Sequence, residues 1–237
     1  MPAIRIGDYL AAAKSGMLLG TPYEHLETAE LAEFLTSWED WHSQTLTRLT
    51  QRIHPTARIH PTAIIGDDVI IGPRVSVWEF STVRSGSVLC ADVSVGFNCE
   101  VTRSFLGERA VLGHRIGINR TLVGADAHLS ANLTVAAISM WSPRMNNPER
   151  EIILRTPDGL YRCGTPRFGA LIGDRVQTGN SISLGPGLAL GRDCRIASGV
   201  TLAARALPGG SIVTAPHTSD VHVRQRSTHA GRIEKGV

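Results

Sequence analysis

The sequence is poor in aromatic residues. Phe, Trp and Tyr make up 5% of 237 residues although 42% are hydrophobic, so any core must be built from aliphatic side chains. No apolar run approaches the roughly 18 residues of a membrane span. The start, Met1-Pro-Ala-Ile-Arg-Ile-Gly-Asp, lacks the apolar stretch of a secretory signal. Cys90, Cys99, Cys163 and Cys194 show no C-x-x-C spacing. Reduced thiols and a cytoplasmic location are expected, without structural zinc. Charge of one sign is also missing: 24 Lys and Arg face 21 Asp and Glu. With no basic stripe in the first two-thirds, neither nucleic acid nor membrane is an expected partner. Ordinary apolar content excludes wholesale disorder.

What the chain has is a period of six. From Ile53, an aliphatic residue recurs at Ile59, Ile65, Ile71, Val77, Val83, Leu89, Val95 and Val101. The fifth member of each hexad is small or aliphatic, as in Ala57, Val69, Ser81 and Cys99, and Gly often follows the leader. With two five-residue steps the series continues through Leu106, Leu112, Ile118, Val123, Leu129 and Val135. It stops over 138–171, then restarts at Ile172, Thr178, Leu184, Leu190, Ile196 and Leu202. A helix of 3.6 residues per turn drifts off such a period, and plain strand alternation needs no fixed Gly phase. Each hexad reads as a short strand plus a corner, with Gly, Asn and Asp supplying corner dihedrals. Three make one coil of a triangular prism, an all-β solenoid in which stacked coils bury a thin aliphatic column.

Three regions fall outside the period. Residues 1–52 read as a helical cap over the end of the first coil. Thr21-Pro22-Tyr23-Glu24 is a helix start, Leu26 to Leu49 follow at helical spacing, and a short helix over Asp8–Lys14 precedes them. The β-helix is placed at 53–208. Its insertion, 138–171, brings Arg144, Arg150, Arg155, Arg162, Arg167, Trp141 and Tyr161, residues able to reach an anionic or ring-bearing ligand. Residues 209–237 form a basic extension with His217, Arg224, Arg226 and Arg232, either solvated or an arm toward phosphate.

The hexads resemble the left-handed β-helix, hexapeptide-repeat acyltransferase superfamily. Val83 to Leu202 is similar to the acetyltransferase domain of bifunctional sugar-1-phosphate nucleotidyltransferases. Segments that carry the similarity are Val83-Arg-Ser-Gly86, Glu100-Val-Thr-Arg103, Leu112-Gly-His114 and Phe168-Gly-Ala-Leu-Ile-Gly-Asp174. The resemblance implies a homotrimer with sites between subunits, acetyl-CoA or another acyl-CoA as co-substrate, and no metal. It implies His114 as general base, a role that suits an imidazole, with Glu100 orienting His114 or the substrate. Arg84 corresponds to a phosphate-binding position, as guanidinium chemistry favours. Ala131, Asn180 and Ser198 correspond to cofactor-lining positions, where a backbone N–H is an expected oxyanion donor. The substrate positions depart from the pattern: Thr102 replaces a Lys, with Arg103 beside it, Gly117 replaces a Tyr, and His128 and Ala137 replace Asn.

Three functions remain open on the sequence. The first is CoA-dependent N-acetylation of an amino sugar, sugar phosphate or sugar nucleotide, with an anionic small-molecule amine as acceptor. The second is acylation of a non-sugar amine. The third is a non-catalytic trimeric binding protein. His54-Pro-Thr-Ala and His60-Pro-Thr-Ala, six apart, read as corner residues rather than metal ligands.

Overall fold

A computed structural model describes residues 2–13, 16–140 and 144–215. The hexads form a left-handed parallel β-helix of two- and three-residue strands in three faces. Face one runs from Arg58–Ile59 through Ser94–Val95, Val111–Leu112 and His128–Leu129 to Ile212–Val213. Face two includes Ile64–Ile65, Thr82–Arg84, Glu100–Thr102 and Gly117–Asn119. Face three includes Ile70–Ile71, Val88–Leu89, Phe105–Leu106, Leu122–Val123 and Ala170–Ile172. Register follows the leaders: Ile59 lies against Val77, Leu89 against Leu106, and Val123 against Ile172. Leaders and fifth residues share the buried column, including the hydroxyl of Ser81, which donates to the Gly96 carbonyl at 2.6 Å. The last coil extends to Val213, paired in register with Ile196, so the prism continues past residue 208. Residues 216–237, with the basic side chains noted above, lie outside the described residues, as does Trp141.

The corners differ from expectation. Residues with positive φ include Asp92, Asn98, Asp126 and Asn132, but also Arg74, Arg103, Arg109, Arg115, Arg120 and Arg175. The left-handed conformation is costly for an Arg, and partners on the next coil offset it. Arg74, Arg109 and Arg175 each grip an Asp of the following coil through two hydrogen bonds. The two His-Pro-Thr-Ala repeats are corners, as read. Thr56 and Thr62 bond to His54 and His60, and their hydroxyls accept the next coil's Arg74 and Phe80 amides at 3.0 Å.

The N-terminal segment does not cover the end of the prism. It lies along face three. Ile4, Leu10, Tyr23, Phe34 and Trp38 pack with the outward residues Ile70, Val88, Phe105, Leu122 and Leu171 in a second apolar cluster. The first-coil residues Ala57, Ile59 and Ala63 stay only partly buried. Its helices also start elsewhere. Pro22–Thr28 is a 3-10 helix that kinks at His25, and Thr21 donates its hydroxyl to Leu18 rather than capping. The long helix α1, Leu31–Arg48, is capped by the Glu30 carboxylate, which accepts from Ala32 and Glu33. Near the expected first helix the described residues form two 3-10 turns, Ile6–Asp8 and Gly16–Leu18.

The insertion completes the same cover. Ile153–Thr156 and Gly159–Arg162 form an antiparallel hairpin that extends the face-three sheet. Its Tyr161 hydroxyl bonds to the Glu30 carboxylate and accepts from Ala32 N. Asp174, 2% exposed, fastens the other end. Its carboxylate accepts from Ala11 and Ala125 at 2.8 Å and pairs with Arg192 at 3.1 Å.

Candidate functional site

Stacking puts one residue per coil at the corner between faces one and two. Backbone hydrogen bonds run from Asn98 to Glu79, Arg115 to Phe97, Asn132 to His114, Ser181 to Ala131 and Gly199 to Asn180. Glu79, Phe97, His114, Ala131, Asn180 and Ser198 therefore form a single column along the prism. His114 and the three expected cofactor-lining positions thus come together. The His114 side chain is exposed and makes no intrachain hydrogen bond among the described residues.

A cavity of about 540 Å³ opens beside this column on face one. Trp78, Glu79, Phe97, His114, His128, Ala131 and Asn180 line it, with Gly96, Gly113 and Ser130 as floor. The floor is flat because side chains are excluded: a Cβ on Gly96 would meet the Gly113 carbonyl oxygen at 1.7 Å. Such a volume suits a small-molecule site.

Two of the three expected oxyanion donors are already engaged. Ala131 N–H donates to Asn180 Oδ1 at 3.1 Å, and Asn180 N–H donates to Ser198 Oγ at 2.9 Å. At these positions the remaining donors are the Asn180 side-chain amide and the N–H and hydroxyl of Ser198.

Other sequence-derived candidates separate. Arg84, Glu100 and Gly117 line a second hollow of about 680 Å³ on face two, across the corner. There Arg84 forms an ion pair with Glu100 and donates to Thr102 Oγ1 at 3.3 Å. No hydrogen bond joins Glu100 to His114, so Glu100 does not orient the imidazole within one chain. Arg103 turns to the third corner and pairs with Glu39 of α1. Ala137 is buried, its carbonyl accepting from Phe168 N at 2.8 Å, so it cannot touch a substrate. No described residue of the insertion lines the His114 cavity. Among the described residues, no three His, Cys, Asp or Glu gather as a metal site. No described helix is long and apolar enough to cross a membrane. The four cysteines are free and buried, and burial pushes the Cys163 thiol up to about 12.

Comparison with known proteins agrees with this architecture. The family described as the GMPPB C-terminal domain matches residues 49–145. The uncharacterized acetyltransferase YaiX of Escherichia coli O6:K15:H31 is 25% identical over 128 residues, 54% of this chain and 52% of that protein. The bifunctional protein GlmU of Methanococcus vannielii is 27% identical over 109 residues, 46% of this chain and 24% of that protein. The chain therefore spans about half the length of YaiX and a quarter of GlmU. Over that shared part the chain is similar to proteins named as acetyltransferases, and its fold is a hexapeptide-repeat left-handed β-helix. Among solved structures that match this chain, AntD, an N-acyltransferase from Bacillus cereus in complex with dTDP-4-amino-4,6-dideoxyglucose and coenzyme A, shows 15% identity and a TM-score of 0.38. That match covers 73% of this chain and 84% of AntD.

Two cavity residues were missed in the sequence, Trp78 and Glu79, whereas the stacking of Val95, Leu112 and Leu129 already puts Phe97 in one column with His114 and Ala131. A signal existed. Trp78 follows its leader where Gly66, Gly72 and Gly96 follow theirs, and is the bulkiest residue at that phase.

Proposed function

We propose that this protein is a CoA-dependent acyltransferase that acetylates a primary amine, with His114 as general base. One observation supports it above others. An exposed imidazole stands on the wall of an open cavity, in the same column as Ala131, Asn180 and Ser198. These side chains are small, and the floor beneath is glycine and serine, so an extended thioester can lie along the prism.

In this reading neutral His114 takes a proton from the acceptor's ammonium. The freed lone pair attacks the thioester carbonyl carbon, a C–N bond forms, and the tetrahedral oxyanion is met by the Asn180 amide. The C–S bond then breaks, the nitrogen's second proton passes to the departing sulfur so that CoA leaves as the thiol, and His114 releases the first proton to solvent. Arg84 and Glu100, across the corner, take part only when a neighbouring protomer brings them to the cavity. A homotrimer would do this, and exposed Ile64 and Phe80 beside them give it apolar surface to bury. An amino sugar or sugar nucleotide is the first acceptor class.

Calorimetric titration with acetyl-CoA and free CoA tests the reading. Saturable micromolar binding is expected, and no binding of either ligand overturns it. His114→Ala should keep CoA affinity and thermal stability while turnover falls by about 10²–10⁴-fold. Light scattering should give three times the 25.5 kDa chain mass.

A further inference from the structure

The His114 cavity has a character that the sequence expectation of an anionic acceptor does not match. Of the side chains lining it, Glu79 alone carries a formal charge at neutral pH, and that charge is negative. The Arg side chains lie elsewhere, Arg84 and Arg115 in the hollow across the corner and Arg103 on α1. The cavity's aromatic residues are also unusual. Eleven aromatic residues are described. Eight belong to the N-terminal segment, the insertion or face three, whereas Trp78, Phe80 and Phe97 stand at this corner, 51%, 59% and 38% exposed. Trp78 and Phe97 line the cavity, and Phe97 is held edge-on by Phe80, with ring centroids 5.8 Å apart. Exposed rings beside a cavity favour a ligand that covers them.

Glu79, Phe97 and His114 occupy one column on three consecutive coils. At the strand spacing, the first and last stand roughly 10 Å apart, with the Phe97 ring between. A gap of that length between a carboxylate and an imidazole, all three residues lining the cavity, has room for one ammonium group. There it meets a charge-assisted hydrogen bond from one side, a π-face below, and a proton acceptor on the other side. His60 Nε2, 3.8 Å from Glu79 Oε1, supports the carboxylate from the coil below.

We propose that Glu79 and Phe97 hold the ammonium of the acceptor, and that Trp78 stacks on its ring or apolar framework. Within one chain the amine end of the acceptor is then recognised with no anionic group beside it, and a phosphate farther along the acceptor would fall to Arg84 of a neighbouring protomer. The inference rests on the acyltransferase reading for the use made of the amine, but the binding site stands on its own geometry.

The test uses the full chain and two matched probes, phenethylamine and 3-phenylpropionate, which share a ring and differ in charge sign. Calorimetry or ligand-observed NMR should show saturable binding of the amine and at least about tenfold weaker binding of the acid. Glu79→Gln should weaken amine binding by about tenfold or more and leave acetyl-CoA affinity unchanged. Trp78→Ala should weaken it with the native mass unchanged in light scattering. Equal or tighter binding of the acid, amine binding indifferent to Glu79→Gln, or no amine binding in a protein that binds acetyl-CoA overturns the proposal. A change of oligomeric mass in Trp78→Ala overturns the assignment of Trp78 to the ligand. Failure to bind acetyl-CoA while the amine still binds through Glu79 removes the acyltransferase reading and leaves the amine site standing.

Discussion

Face three and face one are built from the same hexads and treated in opposite ways. On face three the outward residues are large and apolar, Ile70, Val88, Phe105, Leu122 and Leu171, and a helix and a hairpin seal them from water. On face one the outward residues near His114 are Ser94, Gly96, Gly113, His128 and Ser130, and no described segment covers them. The prism interior has room only for aliphatic and small side chains, so it cannot express this difference. The outward positions do, and they divide the molecule into a face that is sealed and a face that stays open around a cavity.

The sharpest test of that division removes one ring from each side. Phe168, fully buried between the prism and its cover, should cost about 3–5 kcal/mol when changed to Ala. For a chain of this size that is a fall of roughly 6–20 °C in Tm. Trp78→Ala should shift stability by less than about 1 kcal/mol, since half of that side chain already meets water. Equal losses in thermal denaturation would show that face one carries fold stability too, and the division would fail.

A second test asks whether the sealed side responds to pH. His42 of α1 is buried, and burial holds its imidazole below the ordinary 6.5, aided by Arg103 and opposed by Asp68. Its Nε2 donates to the Asp68 carbonyl at 2.6 Å, so Nδ1 is the acceptor facing the Tyr23 hydroxyl at 3.3 Å. That hydroxyl already accepts from Trp38 at 3.0 Å. Protonating Nδ1 sets a donor against a donor. Gly86, whose φ is +70°, passes so close that a Cβ would lie 3.0 Å from the His42 ring, leaving it little room to turn away. Because the folded pKa is depressed, the unfolded chain binds the extra proton more readily. Stability should be full above about pH 6.5 and decline as pH falls below it toward the folded value. Melting curves between pH 8 and 5 should show this loss, and His42→Gln should reduce it. An identical pH profile in both proteins would remove His42 as the cause.

The interior of this fold was legible in the sequence because a period of six constrains inward positions rigidly. Leaders, fifth residues and the stacking of Val95, Leu112 and Leu129 follow from spacing alone. The column of Phe97, His114 and Ala131 was equally legible, and Asn180 and Ser198, which the resemblance alone had singled out, continue it in register. What spacing could not give was the side of each corner on which a residue falls. Arg84 and Arg103 are nineteen positions apart in sequence yet turn to different surfaces, one to face two and the other to α1. The cover was misplaced for a related reason. Leu26 to Leu49 announce an apolar helix face but not its partner, and only the large residues just before the leaders, such as Phe105 and Leu122, mark face three as that partner.

The smallest effect is expected at the third feature of the prism, its exposed corner of alternating charge. Arg74, Asp92, Arg109, Asp126, Arg175 and Asp193 follow one another along a single edge. Arg109 grips Asp126 at 2.6 and 2.8 Å and holds that carboxyl below the ordinary carboxylate range. Both groups stand in water, where such a pair is worth below ~1 kcal/mol. Arg109 also sits at φ 58°, a conformation that penalises any side chain with a Cβ. The two contributions oppose each other and can be separated. Arg109→Gln loses the ion pair and keeps the backbone penalty, so it should be slightly less stable than the parent at low salt and nearly equal to it at 1 M salt, where the Debye length is about 3 Å. Arg109→Gly loses the pair and also the penalty, so it should melt at or above Arg109→Gln at every salt concentration. The reverse order would mean that the ladder, rather than the corner geometry, fixes that edge.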